Sequence, residues 1–213
     1  MARLRVTEIF CSLQGEARSA GWPTAFVRLT GCPLRCTWCD TEYAFTGGES
    51  LELDTILTRV AGFGVRHVTV TGGEPLAQTD CQDLLIALCD AGYAVSLETS
   101  GALDIAGLDP RVTVVMDLKA PGSGEEGRNL YANLDLLRPT DQVKFVLADR
   151  ADYDWARARL AEYRLDERCE VLVQPVFGAL PPGELAQWVL DDRLPVRFQL
   201  QLHKLLWGDE RGR

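Results

Sequence analysis

The sequence predicts an α/β protein, a partial, open β/α barrel of about six mostly parallel strands. Three observations predict it. Short β-rich runs alternate with amphipathic helical patterns, which builds a parallel sheet flanked by helices. The segments just after those runs (GCPLRCTWCDT, TGGEP, TSG, KAPG, QPVF and HK) hold nearly all the chemically unusual residues. Parallel sheets place their chemistry at those carboxyl ends. Finally, 213 residues fall short of the about 250 of a closed eight-stranded barrel. A single domain over residues 1–213 is expected, since no repeat, low-complexity tract or Ser/Pro-rich linker divides the chain.

In chain order, the first β-rich run is Thr24–Thr30, followed by His67–Thr71 and Ala94–Thr99. Between the last two, Cys81, Leu85, Leu88 and Cys89 recur at helical spacing, and Gly92 ends that helix. Val112–Leu118 and Gln142–Leu147 come next. Tyr153, Ala156, Leu160 and Tyr163 then mark a second apolar stripe. The run Cys169–Gln174 precedes a third stripe, Leu185, Trp188 and Val189, behind the start signal Pro181–Pro182. A last strand is expected over Val196–Leu202.

Charge and cysteine usage narrow the function classes. Lys and Arg number 22 against 31 Asp and Glu, a net charge of −9. That balance argues against a phosphate-backbone partner such as nucleic acid. The N-terminal stretch has no continuous apolar run, so no secretory signal is expected. No run approaches the about 18 apolar residues of a membrane span. A cytoplasmic location follows, where thiols stay reduced. The seven cysteines therefore read as metal ligands, catalysts or small hydrophobes, not as a disulfide framework.

Cys32, Cys36 and Cys39 lie at C-x3-C-x2-C spacing on one short loop. A structural zinc needs a fourth ligand, and His67 and His203, the only histidines, are remote in sequence. A [4Fe–4S] cluster on three thiolates leaves one iron open for a small ligand. Both metals remain compatible with the spacing. Cys11, Cys81, Cys89 and Cys169 match no ligand pattern, and Cys81 and Cys89 fall on an apolar helix face.

Other residues carry weaker signals. Gly72-Gly73-Glu74-Pro75 follows a strand, where glycine admits a ligand to the backbone and Glu74 can accept from an ammonium. Asp40 and Thr41 could ligate a hard cation or simply form a turn. Arg28 is the one charge in AFVRLT; it faces either the barrel lumen, to grip a carboxylate, or solvent from an edge strand. Leu13-Gln14-Gly15-Glu16 precedes that strand with donors and acceptors suited to an amide edge, or as a polar turn.

These motifs make the chain similar to the radical S-adenosylmethionine (SAM) superfamily, whose C-x3-C-x2-C motif carries an aromatic before the last cysteine, here Trp38. Within it, the chain most closely resembles the 7-carboxy-7-deazaguanine synthase family. The likeness is carried by EIFCSLQGE (Glu8–Glu16), FVRLTGCPLRCTWCDT (Phe26–Thr41), VTGGEPL (Val70–Leu76), LETSG (Leu97–Gly101), DLK (Asp117–Lys119), VQP (Val173–Pro175) and QLQLHKLLW (Gln199–Trp207). It implies a radical SAM fold and a lyase. The reaction would contract 6-carboxy-5,6,7,8-tetrahydropterin to 7-carboxy-7-deazaguanine with loss of ammonia, a step toward queuosine and related deazapurines.

The resemblance implies these roles. Cys32, Cys36 and Cys39 hold the [4Fe–4S] cluster, and Trp38, Gly73 and Glu74 meet S-adenosylmethionine. Ser100, Asp117, Leu118, Lys119 and Gln174 complete the cofactor site, although the family often has Ser-Pro-Lys where this chain has Asp117-Leu118-Lys119. Leu13, Gln14, Gly15, Glu16, Arg28 and Thr71 bind substrate, joined by His203 from the last strand. Thr41, helped by Asp40, ligates Mg2+. A flavodoxin- or ferredoxin-type reductant and a homodimer are implied too. Two other classes would fit the cysteine loop: a radical SAM activase acting on a partner protein, and a non-enzymatic zinc-binding module.

Overall fold

The computed structural model describes residues 2–213. Nine strands form one sheet: β1 (Arg3–Leu13), β2 (Pro23–Leu29), β3 (Glu49–Glu52), β4 (His67–Gly72), β5 (Ala94–Thr99), β6 (Thr113–Asp117), β7 (Gln142–Leu147), β8 (Glu170–Pro175) and β9 (Arg197–Phe198). Their order is β3-β1-β2-β4-β5-β6-β7-β8-β9. From β2 to β9 every pairing is parallel. At the other edge β1 is antiparallel to both β2 and β3. The two edge strands do not pair with each other, so the barrel is open, and six parallel strands of five residues or more precede the two-residue β9.

The helices are α1 (Leu53–Ala61), α2 (Cys81–Asp90), α3 (Arg150–Tyr163), α4 (Leu165–Arg168), α5 (Pro182–Asp192) and α6 (Leu202–Trp207). The expected stripes lie in α2, α3 and α5. Asp149 caps α3 by accepting from the Asp152 N–H, and Pro182 opens α5. Period-2 alternation sorts the sheet into two faces. Ala25, Val27, Leu29, Val68, Val70, Val95 and Leu97 pack with α1 and α2. Val114, Met116, Val143, Phe145, Val171 and Val173 pack with α3 and α5 in a second apolar cluster. Intervening residues point to the concave side, and there the chemistry collects.

The sequence reading offers no expectation for β1, β3 and α1. In β1 a bulge between Val6 and Glu8 breaks the alternation. α1 nevertheless carries a regular stripe, since Ile56 and Val60 are buried and Leu53 and Leu57 pack beside them. The expected last strand over Val196–Leu202 is corrected: only Arg197 and Phe198 pair with β8. Beyond Gln199, whose N–H still reaches the Val173 carbonyl, the Leu202 N–H turns to the Gly15 carbonyl at 2.9 Å and α6 begins. Cys81, Cys89 and Cys169 are buried in the apolar clusters as expected for bystanders, and burial pushes the Cys81 thiol up to about 12.

Candidate active site

The concave face of the sheet encloses a cavity of about 560 Å3, within the range of small-molecule sites. Each strand delivers its inward residue there: Phe26 and Arg28 from β2, Thr71 from β4, Glu98 from β5, Asp117 from β6, Lys144 and Val146 from β7, Gln174 from β8. In register, Arg28 stands beside Thr71 and Asp117 beside Lys144. A polar inner face opposite an apolar outer one is what period 2 produces in a strand whose inner neighbours are other polar groups.

Cys32, Cys36 and Cys39 sit on the loop after β2 and all line the same cavity. They are free and half-buried. Burial pushes each thiol up, so binding a metal there releases protons. The loop is fastened from the far side of the barrel: the Thr37 N–H donates to the Ser123 carbonyl at 2.9 Å, and the Arg35 N–H to Glu125. Gly73 packs against this loop. An added Cβ would stand 2.2 Å from the Gly31 carbonyl oxygen and 2.8 Å from the Cys32 Cβ. Gly73 lines the cavity as expected, and its missing side chain also makes room for the cysteine loop. Among the described residues no three His, Cys, Asp or Glu side chains already close on one ion. The donor set is nevertheless three thiols on one cavity wall, which suits an iron–sulfur cluster.

A chain of charges crosses the floor. The Lys144 ammonium donates to Glu16 and lies 3.2 Å from Asp117 Oδ1; Lys119 Nζ donates to Asp117 Oδ2 at 2.7 Å. Burial alone would raise the Asp117 carboxyl, but Lys119 and Lys144 outweigh it and hold it low. Glu16 is likewise held low against burial by Lys144 and by the amide of Gln201. Glu98 differs. Among the described residues no cation bonds it; it accepts from Gln14 Nε2 at 3.1 Å and Thr71 Oγ1 at 3.1 Å. Burial therefore wins over the attraction of Lys144, and its carboxyl is raised.

Arg28 resolves inward. Its Nε donates to Glu8 at 2.7 Å, and its guanidinium lies between the Phe10 and Tyr43 rings, which leaves an edge toward the cavity. Asp40 and Thr41 line the mouth, where the Thr41 hydroxyl donates to Asp40 at 2.7 Å and Lys204 stands 3.6 Å from Asp40. His203 also reaches the cavity, but from α6 and not from a strand. Burial lowers its pKa despite the opposing pull of Glu16 and Asp40, which favours the neutral imidazole.

Leu13, Gln14, Gly15, Glu16, Trp38, Thr71, Ser100, Lys119 and Gln174 all line the cavity as well. Two expectations fail. Glu74 does not face it. Its carboxylate is fully buried and accepts from the Leu76 N–H, the Thr99 hydroxyl and the Ser100 N–H and hydroxyl, which ties the turn after β4 to the end of β5. The Leu118 side chain lies in the second apolar cluster, while its neighbours Asp117 and Lys119 turn inward. Glu98, Lys144, Gln201 and Lys204 line the cavity without having been expected. Glu98 and Lys144 carried the signal that singles out Arg28, a lone charge inside an apolar β run.

Comparison with known proteins agrees with this geometry. A model of the radical SAM superfamily matches residues 26–121. A 7-carboxy-7-deazaguanine synthase of Chlorobaculum tepidum is 48% identical over 99% of this chain and 98% of that protein. One of Koribacter versatilis is 42% identical over 97% and 98%. Among solved structures, that of QueE from Escherichia coli superposes with a TM-score of 0.77 at 25% identity, covering 94% of this chain and 95% of the other.

Proposed function

The chain belongs to the family of 7-carboxy-7-deazaguanine synthases within the radical SAM superfamily, and from that premise we propose how its single domain, residues 1–213, performs the reaction. The enzyme is a radical SAM lyase that converts 6-carboxy-5,6,7,8-tetrahydropterin to 7-carboxy-7-deazaguanine with release of ammonia, in 7-deazapurine biosynthesis. One observation carries the assignment of the site: three thiols and an inward row of fixed charges open onto the same cavity. A concave cavity of this size, with a few convergent polar groups among apolar ones, suits a small molecule.

The [4Fe–4S] cluster and S-adenosylmethionine supply a carbon radical when bound; the chain binds, orients and shields. Cys32, Cys36 and Cys39 hold the cluster. Trp38, the Gly73 backbone, Ser100, Asp117, Lys119 and Gln174 surround the cofactor, with Glu74 shaping that wall from behind. Arg28 grips the substrate carboxylate, held in place by Glu8. Asp40 and Thr41 offer a carboxylate and a hydroxyl to Mg2+, oxygen donors that suit a hard cation. Thr71, Gln14 and neutral His203 border the pterin ring. Glu98, with no cation of its own, is the open acceptor for the ring's N–H edge, whereas Glu16 is already engaged by Lys144 and Gln201. Leu13 and Gly15 supply wall and backbone.

No described helix is long and apolar enough to cross a membrane. A cytoplasmic site of action, a flavodoxin- or ferredoxin-type reductant and a homodimer complete the reading. The test is anaerobic: reconstituted protein with S-adenosylmethionine, reductant and the carboxytetrahydropterin should yield the carboxydeazaguanine and ammonia in equal amounts. Formation of 5′-deoxyadenosine with no deazapurine would refute the substrate.

A further inference from the structure

Lys144 enters the cavity from the middle of β7, and only 9% of its side chain is exposed. Its ammonium has two carboxylates within reach, Glu16 and Asp117, which come from different elements of the fold. Glu16 belongs to the loop after β1, where its other oxygen accepts from Gln201 Nε2 at 2.9 Å beside α6. Asp117 ends β6 and holds Lys119. One buried cation therefore shares its three N–H donors between the substrate-side carboxylate and the cofactor-side carboxylate. In a site with little water, the charge that one carboxylate gives up is felt by the other. A donor bound at Glu16 moves the ammonium toward Asp117, which loosens Asp117 from Lys119; a ligand that draws on Lys119 acts in the reverse direction.

We propose that Lys144 is a positioning residue that couples the substrate side of the cavity to the cofactor side, so that occupation of one side resets the side chains of the other. The proposal rests on the placement of the cofactor at Asp117 and Lys119 given above. By linkage, such coupling is reciprocal and typically amounts to about 5- to 150-fold in affinity.

The experiment is a double-mutant cycle on binding, without turnover. S-adenosylmethionine affinity is measured by anaerobic equilibrium dialysis on the cluster-loaded, unreduced protein with no pterin present. Glu16→Gln, on the substrate side, should shift that affinity by about fivefold or more. In a Lys144→Met background the same change should have no further effect. Lys144→Arg, which keeps the charge, should restore the response to Glu16→Gln; a lysine that only fills space would not need its charge back. Additive effects in the cycle overturn the proposal, and so does a Glu16→Gln protein that binds the cofactor like the wild type, a result that stands even if Lys144→Met does not fold. Failure of the wild type to bind the carboxytetrahydropterin, with the cycle still non-additive, would refute the substrate reading and leave the coupling in place.

Discussion

In the proposed site, Arg28 and Glu98 serve the substrate by opposite means. Arg28 is a cation fixed by Glu8 at 2.7 Å and framed by two rings, so it meets an anionic substrate without first having to be ordered. Hydrogen bonds to charged groups contribute about 1.5–3 kcal/mol, so Arg28→Ala should weaken pterin binding by about 10- to 100-fold while S-adenosylmethionine affinity holds. Equal loss of both affinities would contradict the assignment. Glu98 is a buried carboxyl that Lys144 and Arg28 attract and Glu16 repels, with burial dominant. Its folded pKa is raised, so its contribution to stability is present below the ordinary value of 4.5 and is lost as pH rises through the raised one. Glu16 and Asp117 have lowered values and act in the opposite sense, losing stability as pH falls. In Glu98→Gln the amide can still accept from Gln14 and donate to the Thr71 oxygen. The melting temperature of that variant relative to wild type should therefore climb as pH rises above the ordinary carboxyl value of 4.5; parallel curves would show that Glu98 is ionised throughout.

Two glycines show how elements are seated against one another. At Gly15 an added Cβ would lie 2.0 Å from His203 Nδ1, so the loop after β1 and helix α6 close on each other only without a side chain there. Gly15→Ala should displace the His203 ring and weaken pterin binding, with iron content unchanged. At Gly73 the obstacle is the backbone of the cysteine loop, which cannot swing away. Gly73→Ala should therefore lower iron bound per chain, at an overpacking cost of about 1–3 kcal/mol. Iron and sulfide analysis of the two variants separates the elements: the same iron loss in both would contradict the division. Helix α6 also marks where sequence reading fails. Leu200 and Leu202 alternate as in a strand, yet the Leu202 N–H goes to Gly15, 187 residues earlier by number (202 − 15), and no local pattern reports that bond.

Across the whole molecule, the alternation of strands and helices, the open parallel sheet and the loading of one sheet end were legible, because each rests on local periodicity. So was the cysteine loop, whose spacing is itself the signal. What stayed hidden was pairing at a distance. The Arg28–Glu8 bond depends on the β1–β2 register, and the Lys144–Glu16 bond joins residues 128 apart. Glu74 looks like a ligand by its position after a strand, but the Thr99 hydroxyl and the Ser100 N–H and hydroxyl turn it into a fastener between β4 and β5. The net charge of −9 does not conflict with an anionic substrate under the proposed assignment, in which a few cations in the cavity, Arg28 among them, meet the carboxylate. Membership of the family implies that S-adenosylmethionine, once bound, would be regenerated at each turnover and not consumed. The most direct measurement is therefore the number of deazapurine molecules formed per S-adenosylmethionine consumed, under anaerobic conditions with reductant. Many turnovers per cofactor, each with one ammonia, are predicted; consumption of one cofactor per product, or 5′-deoxyadenosine with no deazapurine, would contradict it.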